Sequence, residues 1–236
     1  MKKFLAFILL LGVFVTSSTV YSPVKGAYFL LEEDNGGGGS GAPYTVDVTI
    51  FAISDIIENA STSSNTSSVG SVFLGFLGIN TSGHAWLEVT NNYSCSITVG
   101  QMTVGAYESV TLGTYGNKDH EGLYYNLEYY YEETLTDAYL NRVSYTETFS
   151  ITDLVALNEF IIDNDEWAYN DNCSNFAIST WNELSATDFA YSSPYTTPST
   201  LINQIWDLDY LSNAEINGNI NNVGYYNEET FIYSTT

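Results

Sequence analysis

Cationic residues are scarce in this chain of 236 residues, which carries 5 Lys and Arg against 28 Asp and Glu. The formal net charge is −23 at pH 7. A surface of that sign repels the phosphates of nucleic acids and the headgroups of anionic lipids. The composition therefore argues against nucleic acid and anionic membranes as partners, and it suits a protein that stays dispersed outside the cell.

Cysteine and histidine are also scarce, with two residues of each type in the chain. A structural zinc site takes four such ligands and would use every cysteine and histidine in the chain, so we do not predict one. A phosphate-binding loop is missing too, because the glycine-rich run at 36–41 lacks the Lys-Ser/Thr ending that such a loop requires. We therefore predict neither a cofactor nor a resident metal ion.

A hydrophobic run long enough to cross a membrane is absent as well. The apolar run at 4–15 follows a basic start and precedes small polar residues, which is the arrangement of a secretory signal peptide. We predict a signal peptide over 1–22, a flexible Gly-rich linker over 23–45 and one α+β domain over 46–236. The mature protein is then secreted, with no membrane contact after signal removal.

Hydrophobic periodicity gives a coarse order of elements. Alternating apolar and β-branched residues predict strands over 46–53, 84–89, 96–104, 108–115, 123–131 and 139–149. Helical spacing and capping signals predict helices over 150–162, 173–184 and 200–206, before a tail at 218–233 that adds a final strand. Strands come before helices, so we predict an α+β fold with an antiparallel sheet.

The stretch at 169–177 takes a polar, Asn-rich segment directly into Cys173 and an amphipathic run. Asn172 suits a helix N-cap, because its side chain can accept from the N–H groups that the first turn leaves free. Cys173 then stands at the first helical position, where those N–H groups and the helix dipole favour an anion. We therefore predict a thiol whose pKa is lowered, as in a sulfur nucleophile.

A sulfur nucleophile needs a base within hydrogen-bond reach, and usually a third polar group that orients the base. The chain offers His84 and His120. His84 opens a predicted strand directly after Gly83, whereas His120 lies in a polar loop flanked by acids, as a solvated residue does. We expect His84 to be the base; the alternative is a histidine at the sheet edge that the backbone satisfies.

Two motifs resemble a known family. The sequence NCSNFA at 172–177 resembles the Asp-Cys-Ser-Gly-Phe signature of NlpC-type cell-wall peptidases, which are papain-like, with Asn175 at the glycine. The sequence GHAWLEV at 83–89 is similar to their strand headed by histidine. The histidine precedes the cysteine here, an order that resembles the circularly permuted branch, which includes lecithin–retinol acyltransferase-like families.

The resemblance implies a permuted papain-like domain, with the sheet packed against the nucleophile helix. It implies Cys173 as nucleophile, His84 as general base and then acid, and an oxyanion hole that uses the Cys173 backbone N–H, with Asn172 as the neighbouring residue. The family's third polar residue comes from the strand after the histidine strand. Here that strand offers Ser96, Thr98 and Gln101, of which Gln101 is the strongest hydrogen-bonding group.

The expected function is therefore a secreted or wall-associated cysteine amidase or endopeptidase, whose substrate is a peptide or amide, including those of peptidoglycan. The alternative is an acidic extracellular or wall-associated binding domain that keeps the fold without the activity. A disulfide between Cys95 and Cys173, which an even cysteine count invites, favours the binding domain. A free thiol at Cys173 beside His84 favours the enzyme.

Overall fold

The computed structural model describes residues 44–54, 83–135, 138–168, 170–193 and 195–236. The predicted signal peptide at 1–22 lies outside these residues. Of the predicted linker at 23–45, only Tyr44 and Thr45 are described, and Thr45 already belongs to the first strand. In the described parts of the chain, no helix is long and apolar enough to span a bilayer.

The fold is α+β, as predicted, with ten strands and four helices in the described residues. The strands are β1 (Thr45–Ile53), β2 (His84–Asn91), β3 (Ile97–Val99), β4 (Met102–Val104), β5 (Ser109–Tyr115), β6 (Gly122–Tyr125), β7 (Val143–Ser150), β8 (Leu211–Ser212), β9 (Gly224–Asn227) and β10 (Thr230–Tyr233). The helices are α1 (Leu127–Thr134), α2 (Leu154–Asp163), α3 (Cys173–Asn182) and α4 (Pro198–Ile205), with a 3₁₀ turn (Ile151–Asp153) before α2.

Eight strands form one antiparallel sheet in the order β10-β9-β6-β5-β2-β1-β7-β8, while β3 and β4 pair as a separate hairpin. The pairing of β2 with β5 runs from Thr90 opposite Ser109 to Leu87 opposite Leu112 and ends there. The first three residues of β2 therefore extend beyond that ladder, at the end of the strand where His84 lies.

The two faces of the sheet bury different side chains, because successive residues of a strand point to opposite faces. One face packs against α2, α3 and α4 through large apolar residues such as Leu157, Trp181 and Leu201. The other face buries an aromatic cluster, which includes Trp86 and Tyr139. The candidate site lies at one end of β2, between these two layers.

The Tyr-rich segment at 123–131 is not one strand, contrary to the prediction. β6 ends at Tyr125, Asn126 adopts a left-handed φ of 60°, and α1 begins at Leu127. The Asn126 side chain fixes this break: Oδ1 accepts from the Thr111 N–H at 3.3 Å, and Nδ2 donates to the Asn222 carbonyl at 2.9 Å. Asparagine tolerates this backbone region better than most residues, so the chain turns here from strand to helix.

Three other boundaries differ from the prediction. The segment at 96–104 is a hairpin, because Gly100 takes φ 57° between β3 and β4. The strand predicted at 139–149 begins only at Val143, after left-handed residues at Tyr139 and Asn141. The tail forms two strands, β9 and β10, where one was predicted.

Candidate active site

Cys173 is the first residue of α3, as the sequence predicted, and Asn172 is its N-cap. The Asn172 Oδ1 accepts from the N–H groups of Ser174 at 2.9 Å and Asn175 at 3.4 Å. The Asn172 Nδ2 donates to the Thr196 carbonyl at 3.1 Å, which ties the loop before α4 to the nucleophile end of α3. The cap thus fixes the start of the helix and therefore the position of the thiol.

The Cys173 sulfur lies against the beginning of β2. The His84 imidazole and the Ala85 backbone lie near enough to act on the thiol, and both lower its pKa. Burial alone raises the pKa of the thiol, but the hydrogen bond and positive charge of His84 outweigh burial, so the pKa of Cys173 is lowered overall. Cys173 is not in a disulfide, and the residue as a whole is partly exposed.

His84 is held by a tight entry into β2. Gly83 takes φ 98°, and a Cβ there would lie 2.0 Å from the Ile53 carbonyl oxygen, so only glycine lets the chain pass the end of β1 at this distance. The imidazole is 2% exposed and packs against the Trp86 ring at a centroid distance of 5.5 Å. The ring therefore has a fixed place beside the sulfur.

The His84 imidazole interacts with two side chains. Its Nε2 lies 3.0 Å from Glu128 Oε1, and Cys173 is its second partner. Burial lowers the pKa of His84, but the hydrogen bonds and negative charges of Cys173 and Glu128 raise it to about 9. At neutral pH the imidazole is therefore protonated, and its charge favours the thiolate form of Cys173.

Glu128 is the third member of the site, and its side chain is fully buried. The carboxylate accepts a hydrogen bond from Tyr115 Oη on Oε1 at 2.8 Å and one from Thr111 Oγ1 on Oε2 at 2.7 Å, besides the contact with His84. It also lies in the first turn of α1, where the helix dipole favours a negative charge. These partners compensate for burying the carboxylate.

Gly113 of β5 makes room for this contact. A Cβ at this position would lie 2.0 Å from Glu128 Oε1 and 3.0 Å from His84 Nε2. A side chain here would therefore occupy the space in which the carboxylate meets the imidazole.

The structure does not bring Gln101 to the pair. Gln101 lies in the turn between β3 and β4. Its Nε2 donates to the Glu228 carbonyl at 2.8 Å, and its backbone N–H donates to Tyr125 Oη at 3.2 Å. Ser96 and Thr98, the other two candidates, are exposed. Glu128 occupies the position beside the imidazole instead. It lies on α1, which comes directly after β5 and β6 in the chain.

Sequence reasoning missed Glu128 because its segment has the composition of a strand. Tyrosine is common in strands, and five of the nine residues at 123–131 are tyrosine. One signal was present: Asn126, a residue that favours turns and helix starts, interrupts that run two positions before the acid. A helix beginning after Asn126 places Glu128 in its first turn.

His120 forms a second pair, with Asp165. Its Nε2 lies 2.9 Å from Asp165 Oδ1, and its ring stacks on Tyr225 at a centroid distance of 4.6 Å. Both cysteines are free, so the alternative of a disulfide is not realised in the structure. No group of three His, Cys, Asp or Glu side chains suited to a metal occurs among the described residues.

The site therefore brings a thiol, an imidazole and a carboxylate together at a helix N-terminus. A helix leaves its first four N–H groups without intrahelical partners, and that of Cys173 is among them. Such a set can attack a carbonyl carbon, stabilise the oxygen anion that results and protonate a leaving group. In comparisons with known proteins, the chain matches no family model, no curated protein and no solved structure.

Proposed function

We propose that this protein is a secreted cysteine hydrolase with a permuted papain-like, NlpC-like domain, which cleaves amide or peptide bonds through Cys173. The observation that carries the proposal is the placement of Cys173 beside His84, whose Nε2 lies 3.0 Å from the buried Glu128 carboxylate. The thiol has a lowered pKa, the imidazole is protonated at neutral pH, and the carboxylate is buried against it. Each property is one that acyl transfer from an amide requires.

The reaction begins with attack of the Cys173 thiolate on the carbonyl carbon. The new S–C bond pushes the carbonyl π electrons onto oxygen, where the Cys173 N–H donates to the anion. Collapse of this intermediate breaks the C–N bond, and the His84 Nδ1 proton passes to the departing amine. Water then attacks the thioester with His84 as base, which releases the acid and restores the thiolate.

Glu128 orients the imidazole throughout these steps. Its contact with Nε2 keeps Nδ1 directed at the sulfur and at the leaving group. Its negative charge also stabilises the imidazolium form that stands ready before attack.

The substrate class we propose is an amide of extracellular peptides, including the stem peptides of peptidoglycan. The predicted signal peptide at 1–22 places the enzyme outside the cell, and the NlpC-like motifs at 83–89 and 172–177 resemble those of wall peptidases. The strongly acidic chain also favours neutral or cationic peptides over anionic ones. A disulfide or a distant His84 would have favoured the non-catalytic alternative, and the described residues show Cys95 and Cys173 both free and Cys173 beside His84.

The first test is alkylation of the unreduced mature protein with iodoacetamide between pH 5 and 9, read by mass spectrometry at each cysteine. Cys173 is expected to react fast below pH 7, and His84→Ala is expected to slow it by about 10-fold or more, because the thiolate loses its counter-charge. Cys95, which is exposed and free, is the reference thiol within the same molecule. Slow labelling of Cys173, or no effect of His84→Ala, would overturn the proposal.

Activity is tested with peptidoglycan stem peptides, by the release of new amino groups. Wild-type protein is expected to release amines and to form a thioester at Cys173 that hydroxylamine cleaves. Cys173→Ser is the matched control, since it keeps the size of the side chain and lacks the thiol. Amine release by Cys173→Ser at the wild-type rate would rule out this mechanism.

A further inference from the structure

One oxygen of Glu128 has two donors. Oε1 accepts from Tyr115 Oη at 2.8 Å, and the same atom lies 3.0 Å from His84 Nε2. The Tyr115 ring also packs on the imidazole, at a centroid distance of 4.7 Å and a tilt of 34°. Tyr115 therefore touches both partners of the pair, and its side chain is buried, as theirs are.

We propose that Tyr115 is a positioning residue of the site: its hydroxyl holds Oε1 on His84 Nε2 and takes up part of the charge on that oxygen. This inference rests on the proposed function of Cys173 and His84. It adds a residue that does not meet the substrate and acts through Glu128.

The physical reason is the proton that His84 must deliver. An imidazolium that faces a buried carboxylate holds its protons strongly, because the opposite charge stabilises the ion. A hydroxyl that donates to the same oxygen stabilises the carboxylate itself and so weakens its effect on the imidazolium. Tyr115 thus keeps the acid strength of His84 within the range needed to protonate an amine.

Thr111 and Tyr139 show that the contact of Tyr115 is specific. Thr111 donates to Oε2, the oxygen that does not meet His84. Tyr139 is equally buried and its ring lies 6.2 Å from that of His84, yet its hydroxyl contacts Tyr115 Oη at 3.5 Å instead of Glu128. Tyr139→Phe is therefore the matched control for the loss of a buried hydroxyl in this cluster.

The test is an NMR pH titration of the imidazole resonances in wild type, Tyr115→Phe and Tyr139→Phe, beside the pH profile of Cys173 alkylation from pH 5 to 10.5. Tyr115→Phe is expected to raise the titration midpoint of His84 by about half a pH unit or more, with the alkaline step of the alkylation profile moving equally. Tyr139→Phe is expected to leave both unchanged. His120 provides the second imidazole signal in the same spectra and serves as reference.

Three outcomes decide the question. An unchanged or lowered His84 midpoint in Tyr115→Phe, or an equal shift in Tyr139→Phe, overturns the role of Tyr115. Should Tyr115→Phe fail to fold, 3-fluorotyrosine is incorporated at position 115 instead; its more acidic hydroxyl donates more strongly to Glu128 Oε1 and is expected to lower the His84 midpoint, and no shift there overturns the role as well. Failure of the proposed function looks different, because Cys173 in the wild-type protein would then label no faster at low pH than Cys95.

Discussion

The two histidines of this protein stand in similar pairs but in different surroundings. His84 Nε2 lies 3.0 Å from Glu128 Oε1, and His120 Nε2 lies 2.9 Å from Asp165 Oδ1. The side chains of the first pair are at most 3% exposed, while those of the second are 25% and 28% exposed. The contact distance is therefore nearly the same, and burial is what differs.

The comparison teaches that a histidine–carboxylate pair is not by itself a reactive centre. Water reaches the His120 pair, and an exposed ion pair contributes only about 0–1 kcal/mol to stability. The His84 pair is shielded and Cys173 lies beside it, so its charges act strongly on that thiol. Each pair also has a glycine against it, Gly113 for the first and Gly122 for the second, and these offer parallel ways to disturb them.

Adding a methyl group at each glycine is expected to give the largest contrast. Gly113→Ala would place a Cβ 2.0 Å from Glu128 Oε1, and Gly122→Ala would place one 2.5 Å from His120 Nε2. We expect both changes to destabilise the fold by about 1–3 kcal/mol through overpacking. Only Gly113→Ala is expected to slow Cys173 alkylation at pH 6.5, by about 10-fold, because Glu128 is forced away from His84.

Denaturant unfolding measures the loss of stability, and alkylation measures the loss of reactivity. Equal slowing of Cys173 by Gly122→Ala would mean that the two pairs are coupled, and the contrast between them would be lost.

Removing the carboxylate charge of each pair is expected to have the next largest effect. Glu128→Gln keeps an oxygen that can accept from Nε2 but loses the negative charge, so the pKa of His84 should fall by about 1–2 units. The thiolate of Cys173 then loses part of its stabilisation, and the pKa of the thiol should rise. Asp165→Asn is expected to leave the pKa values of His84 and Cys173 unchanged, because Asp165 pairs with His120 and not with His84. NMR titration of the two imidazoles measures the shifts.

An unchanged His84 titration in Glu128→Gln would contradict the role given to this carboxylate. In that case the pKa of His84 would depend on Cys173 alone.

The smallest effect on the site is expected from Glu88, a second buried acid, which lies four residues after His84 on β2. Burial raises its pKa to about 7, despite hydrogen bonds from the Asn217 backbone and side chain at 2.8 and 3.2 Å. The folded state thus binds this proton more tightly than the unfolded state does. The contribution of Glu88 to the free energy of unfolding is therefore greatest below its unfolded pKa of 4.5, and it is lost as the pH rises through its folded pKa of about 7.

Glu88→Gln is expected to remove this loss, so that the variant exceeds wild type in stability by about 2 kcal/mol at pH 8 and not at pH 4. Urea unfolding at the two pH values measures it, while Cys173 alkylation should not change. A variant less stable than wild type at pH 8 would show that the ionised form of Glu88 is the better partner of Asn217.

Local patterns were enough to predict half of the site. Asn172 as the N-cap and Cys173 at the first helical position follow from neighbouring residues, and the structure has both. His84 at the head of a strand follows from Gly83 and the alternation after it, and β2 begins there. Such features depend on interactions within a few residues, which the order of residue types expresses directly.

The partner of His84 could not be predicted in this way. Glu128 is 44 residues from His84, and the two meet only because β5 lies between β2 and β6 in the sheet. Strand order and register depend on the packing of the whole domain. A local error added to this difficulty, because the prediction of one strand over 123–131 left out the helix that carries Glu128.

The separation of the site residues along the chain has a consequence for folding. His84, Glu128 and Cys173 come from β2, α1 and α3, so the thiol meets its imidazole only after these distant elements have packed together. In the unfolded chain a cysteine has its ordinary pKa of about 8.5 and is mostly protonated at neutral pH. Under the proposed function, the nascent polypeptide therefore carries an ordinary, unreactive thiol, which becomes a nucleophile only once the three elements have packed together.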